Sequence, residues 1–179
     1  MWNFIHIPKV AGSSLYNLIG GGRAINYCGH IRISDLKFFC FVRNPYDRLV
    51  DAYVYLVGGG GNVEPDVTYQ KMLLKYNDFT DFVLSIKKDE LINFIIHIRP
   101  MSWYVCNEFG RLMAEFFKLE EMEKIDEFIS SCGYERKLSE TFVNVTERKH
   151  YTEYLNPENI KEINRLYAKD FELFDYDKL

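Results

Sequence analysis

The segment Phe4-Ile5-His6-Ile7-Pro8-Lys9-Val10-Ala11-Gly12-Ser13-Ser14-Leu15-Tyr16 constrains the fold more than any other in the chain. It reads as a short buried strand ending at Pro8, a tight turn carrying Lys9, and a helix from Ser13 to about Ile19 that opens on two hydroxyls. The first amides of a helix have no partners within it and sit at the positive end of the helix dipole, so an anion is favoured there. Gly12 lets the backbone come close to that anion, Lys9 adds a full charge, and Ala11, Ser13 and Ser14 add donors. The segment predicts a phosphate cradle.

The rest of the chain fits around such a turn. Gly20-Gly21-Gly22 ends the first helix, Ala24 to Cys28 reads as a second strand, and Gly29-His30 follows it. Lys37 to Arg43 is apolar throughout its middle, the pattern of a central parallel strand covered on both faces. Asn44-Pro45 opens the next helix with a cap and a proline at its first position. Leu49, Ala52, Tyr53 and Leu56 form its apolar face, and the glycine run from Gly58 through Pro65 reads as a mobile surface loop beside a site. Asp66 to Ile98 is mostly helical in pattern, with Asp78 capping a helix that turns Phe79, Phe82, Val83 and Ile86 inward. Phe116 to Leu119 reads as a strand and Glu120 to Cys132 as an amphipathic helix closed by Gly133. One last helix, capped by Asn156 with Pro157 behind it, runs on through Tyr167, Phe171 and Phe174.

Strand and helix alternate over the first 57 residues. The expected fold is therefore α/β, a P-loop-like three-layer sandwich with a central parallel sheet flanked by helices, with residues 1–179 forming one domain. In such sheets ligands bind beyond the carboxyl ends of the strands, where Lys9, His30 and Arg43 each fall.

A net charge of −4 argues against a general nucleic-acid binder and leaves room for a local basic pocket. The four cysteines, Cys28, Cys40, Cys106 and Cys132, contain no C-x-x-C pair, so they read as reduced thiols rather than zinc ligands. The chain shows no export leader and no apolar run of membrane-spanning length, which predicts a cytoplasmic protein without a membrane anchor. Without an export signal, the sequon Asn144-Val145-Thr146 reads as chance.

An ATP- or GTP-hydrolysing P-loop needs G-x-x-x-x-G-K-[ST], with a hydroxyl on magnesium and an aspartate ending a neighbouring strand. Here the lysine precedes the glycine, and Phe38-Phe39-Cys40-Phe41-Val42 ends in Arg43. A cation stands where a magnesium enzyme needs an anion, which favours a metal-free site for a ligand with more than one anionic group and disfavours a nucleotide-dependent phosphotransferase.

Pro8-Lys9-Val10-Ala11-Gly12-Ser13-Ser14 resembles the phosphosulfate loop of sulfotransferases, and Arg43-Asn44-Pro45-Tyr46-Asp47-Arg48-Leu49-Val50-Asp51-Ala52-Tyr53 resembles their second motif, which binds the donor's 3′-phosphate. The likeness is greatest to the carbohydrate branch with its 2-O-sulfotransferase-like members, and it extends through Arg99-Pro100 and the closing Tyr167, Asp170, Phe174 and Tyr176. The resemblance implies 3′-phosphoadenosine 5′-phosphosulfate (PAPS) as donor and a hydroxyl acceptor, a glycan given the branch. It further implies Lys9 and the loop amides on the 5′-phosphate, Arg43 on the 3′-phosphate, Arg148 as a second phosphate ligand and His30 as catalytic base, with no metal. One residue departs from the pattern: Asp51 stands where the family motif has a serine that donates to the 3′-phosphate. Its carboxylate would repel that phosphate unless Arg43 offsets it or Asp51 turns away to pair with Arg48, or else donor binding has been lost and the fold serves only to bind an anionic ligand or partner.

Overall fold

The computed structural model describes residues 2–19, 24–25, 37–141 and 147–179. In chain order the elements are β1 (Trp2–Ile5), α1 (Gly12–Ile19), β2 (Ala24–Ile25), β3 (Lys37–Val42), α2 (Pro45–Val57), α3 (Asp66–Leu73) and α4 (Phe79–Ser85). There follow α5 (Leu91–Phe94), α6 (Met101–Val105), β4 (Glu115–Lys118), α7 (Met122–Ser131), α8 (Pro157–Leu166) and α9 (Ala168–Leu173). The chain divides into two units, Met1–Arg43 with Met101–Val145, and Asn44–Pro100 with Thr146–Leu179. Among the described residues no helix is long and apolar enough to cross a membrane.

The first unit carries a parallel sheet in the order β2-β1-β3-β4. This is the α/β class with a central parallel sheet that the sequence predicts. Every residue of β3 from Phe38 to Val42 is buried, as its unbroken apolar run requires. The side chains of one sheet face are aromatic: Phe4 packs 5.2 Å from Phe39 and 5.3 Å from Phe41. Phe128 of α7 covers that face, 4.9 Å from Phe39, 4.4 Å from Phe117 and 5.2 Å from Trp2. Cys40 and Cys106 are buried thiols, and Cys132 is a partly exposed one.

The second unit is helical, built on a core that includes Tyr46, Leu49, Leu56, Phe82, Ile98 and Phe171. Its helices start where capping chemistry says they should. The Asn44 side chain accepts from the Tyr46 and Asp47 amides at 3.0 and 3.4 Å, and Asp78 accepts from the Asp81 amide at 2.9 Å. Asn156 and Asn159 form a reciprocal capping box at 3.0 Å, and both side-chain amides donate to Thr80 Oγ1, tying the start of α8 to α4.

Two expectations change. The predicted last helix is two helices, because Tyr167 leaves helical geometry (φ −109°, ψ 22°) while its buried hydroxyl donates to the Ile98 carbonyl at 2.6 Å. The glycine run, expected to be mobile, is stitched: Gly60 N–H donates to the Tyr55 carbonyl at 2.8 Å, Asn62 N–H to the Gly59 carbonyl at 3.1 Å, and Gly61 N–H to Asp66 Oδ2 at 2.9 Å. Asp66 also accepts from the Tyr55 hydroxyl at 2.7 Å; burial, reinforced by this carboxylate, pushes the Tyr55 phenol up to about 12. Gly60 has a φ of +56°, and a β-carbon there would lie 2.6 Å from that of Asp66, so the tight turn around the carboxylate requires glycine.

Candidate functional site

The first unit holds the loop singled out by the sequence. β1 ends at Ile5, three residues earlier than expected, and residues 6 to 11 lead into α1 at Gly12. The first intrahelical bond runs from Leu15 N–H to the Ala11 carbonyl at 3.1 Å, so the amides of Gly12, Ser13 and Ser14 fall before the helical ladder begins. Lys9 (φ 69°) and Ala11 (φ 60°) are both left-handed without being glycine, while Val10 and Gly12 are not, so φ changes sign at each step from 9 to 12. Backbone that alternates in this way forms a concave nest of amides suited to an anion. Left-handed non-glycine residues cost about 1–3 kcal/mol each and persist where the surroundings over-determine them, commonly at ligand sites.

Gly12 is closely packed by a side chain of the preceding loop. A β-carbon on residue 12 would overlap the His6 imidazole at Cδ2 and Nε2, so the room left by the missing side chain is filled by the protein itself. His6 stacks on Phe4 at 6.1 Å and meets Tyr16 edge-on at 5.6 Å. Burial pushes its imidazole below the ordinary value, which keeps the ring neutral at neutral pH.

Strand order supplies the second argument. From β1 the chain winds to β2 on one side, and from β3 to β4 on the other. The winding therefore reverses between β1 and β3, and the crevice beyond the carboxyl ends of two such strands is where open α/β sheets bind ligands. The register sets Ile5 beside Cys40, so the Lys9 loop and Arg43 leave the sheet at the same end of adjacent strands. Lys118 ends β4 opposite Val42 at that same end of the sheet. Its position follows from register alone, and no local pattern marks it.

The second unit holds Arg148. Its Nη2 bonds to Asp47 Oδ1 and its Nε donates to Asp51 Oδ1 at 3.4 Å, with the guanidinium and Asp51 nearly buried. Asp51 thus meets Arg148, while Arg48, entirely within the unit's interior, donates to the Arg99 carbonyl at 2.8 Å. Asp47 and Asp51 lie four residues apart on α2, a spacing that puts both carboxylates on one helix face. That spacing is visible in the sequence; its cationic partner, about a hundred residues on, is not. His30 and the sequon at 144–146 lie outside the described residues.

The Lys9–Ser14 loop and Arg43 therefore belong to one unit and one sheet edge, and Arg148 to the other unit. No curated protein and no solved structure matched the chain. A family model described as Sulfotransferase family matches residues 26–177, a span that begins after the loop and takes in Arg43 and Arg148. With a parallel α/β sheet in place and most of its length covered by that match, the chain belongs to the sulfotransferase family.

Proposed function

We propose that this protein is a PAPS-dependent O-sulfotransferase acting on a carbohydrate hydroxyl, with the whole chain working as one sulfotransferase-like domain in the cytoplasm. The observation that carries the reading is the loop at residues 9 to 12, where φ alternates in sign around Lys9 beside the point at which the winding of the sheet reverses. The family match, which spans parts of both units, supports sulfuryl transfer as the reaction class.

In the proposed reaction the acceptor oxygen attacks sulfur in line. The bond between sulfur and the bridging oxygen of the 5′-phosphate breaks, leaving adenosine 3′,5′-bisphosphate and a sulfate ester. Negative charge gathers on the 5′-phosphate, where Lys9 and the amides of Ala11, Gly12, Ser13 and Ser14 stabilise it; one such donor is worth about 2.7–4 kcal/mol in the barrier. Arg43 offers the 3′-phosphate a planar fork of donors that lysine cannot copy. His30 takes the acceptor's proton as general base. Arg148 is the second phosphate ligand, exchanging its carboxylate partners for the donor. The step needs no metal, since cationic side chains and loop amides neutralise the charge.

Replacing His30 by alanine should lower turnover of PAPS with a glycan acceptor about 100-fold while leaving affinity for adenosine 3′,5′-bisphosphate nearly intact. Unchanged turnover removes His30 from the role. A second reading has one observation in its favour: Asp47 and Asp51 already hold Arg148. On that reading the fold binds an anionic ligand or partner through the loop without transferring a sulfuryl group. A large gain in bisphosphate affinity for Asp51→Ser would favour it.

A further inference from the structure

We propose that His6 is a positioning residue of the anion loop: its imidazole, seated where residue 12 would carry a side chain, holds residues 9 to 12 in their alternating backbone form. The inference deepens the donor-binding reading of that loop and rests on it.

Three observations converge on the ring. First, the fit is mutual, because no residue but glycine leaves room at position 12 for the His6 ring in its present place. Second, the ring is itself fixed from two further sides, by the face of Phe4 and by the edge-on ring of Tyr16. Phe4 belongs to the aromatic face of the sheet, so a rigid chain of contacts runs from β3 through Phe4 and His6 to the first residue of α1. Third, Lys9 and Ala11 occupy conformations that relax unless something holds them, and Gly12 is the residue that ends the alternation. A contact that fixes Gly12 from the sheet side resists that relaxation. His6 thus acts through the backbone of the loop and makes no contact with the reacting atoms.

The ring also gives the proposal a signature that packing alone lacks. Tyr16, on α1, is the titratable group that faces it in a ring contact among the described residues, and Phe4, on β1, carries no charge. An anion held by the residues against which the ring packs favours its protonated form. Binding then takes up a proton, and affinity strengthens as pH falls.

The test is a titration with inorganic sulfate, whose charge is constant between pH 5.5 and 7.5, followed by the amide resonances of Gly12 and Ser13. Wild type should bind more tightly at pH 5.5 than at 7.5. Gly12→Ala should show no saturable shift. His6→Ala, and His6→Asn should alanine fail to fold, should bind about tenfold more weakly and lose the pH dependence. The double variant His6→Ala/Gly12→Ala, freed of the overlap, should recover the affinity of His6→Ala. An affinity for His6→Ala within twofold of wild type, or a double variant as inert as Gly12→Ala, overturns the proposal, as does a wild type that binds no sulfate. Sulfate binding without binding of adenosine 3′,5′-bisphosphate would instead defeat the donor reading and leave the His6 assignment standing.

Discussion

The loop at residues 6 to 12 and the first turns of α2 both face the problem of placing charge at a helix start, and they solve it in opposite ways. In the loop a single lysine is set among backbone donors: Lys9 and Ala11 are left-handed, the opening amides of α1 follow them, and a neutral histidine packs behind. On α2 it is a matter of side chains, with one guanidinium set between Asp47 and Asp51 and a helix cap already filled by Asn44. The comparison teaches that a cluster of charged side chains can pair within itself, as Asp47 and Asp51 do with Arg148. An alternating backbone built around a single lysine is the stronger sign of binding.

The contrast can be broken at several points. The largest effect is expected at Lys9. Lys9→Ala should reduce sulfuryl transfer about 100- to 1000-fold, the loss typical of one well-placed charge-stabilising donor, in a turnover assay with PAPS. A loss below tenfold would place the charge stabilisation elsewhere. Next is Arg148→Ala, which strands two partly buried carboxylates and should lower stability by about 2–3 kcal/mol in urea melts. The same variant decides between ligand and structural tie: a matching tenfold fall in bisphosphate affinity supports the former, and unchanged affinity makes the pair purely structural.

A smaller effect concerns pH. His6 has a folded-state value depressed below the 6.5 of the unfolded chain, so the unfolded state takes up its proton first as pH falls. Its stabilising effect is complete above about pH 6.5 and is lost as pH drops through the lowered folded value. Thermal melts of wild type should therefore decline more steeply below pH 6.5 than those of His6→Asn; parallel curves would mean the ring is not buried in solution. Smallest is Asn156→Ala, which removes the capping box and the bond to Thr80 and should cost about 1 kcal/mol without touching ligand affinity.

Much of the architecture could be read from local pattern. The uninterrupted apolar run of β3, the Asn44-Pro45 start of α2 and the Asp78 and Asn156 caps each depend on residues within a few positions of one another, and all four stand in the structure. What escaped depends on distant partners. Tyr167 splits the last helix because its hydroxyl reaches a carbonyl 69 residues earlier, and Arg148 finds Asp51 across 97 residues. At the site, the position of Lys9 in the loop was legible, but its left-handed backbone was not, since lysine and alanine carry no propensity for it. The reason Gly12 must be glycine was hidden too, because it lies in the ring of His6 rather than in the turn.

A loop between β1 and α1 that holds the phosphate of a nucleotide donor must lose affinity for that nucleotide when Lys9 is removed. Isothermal titration of adenosine 3′,5′-bisphosphate into wild type and Lys9→Ala tests it most directly. Wild type should give a saturable one-site isotherm, and the variant an affinity about 100-fold weaker. Two flat traces at millimolar nucleotide, or two identical isotherms, would contradict it.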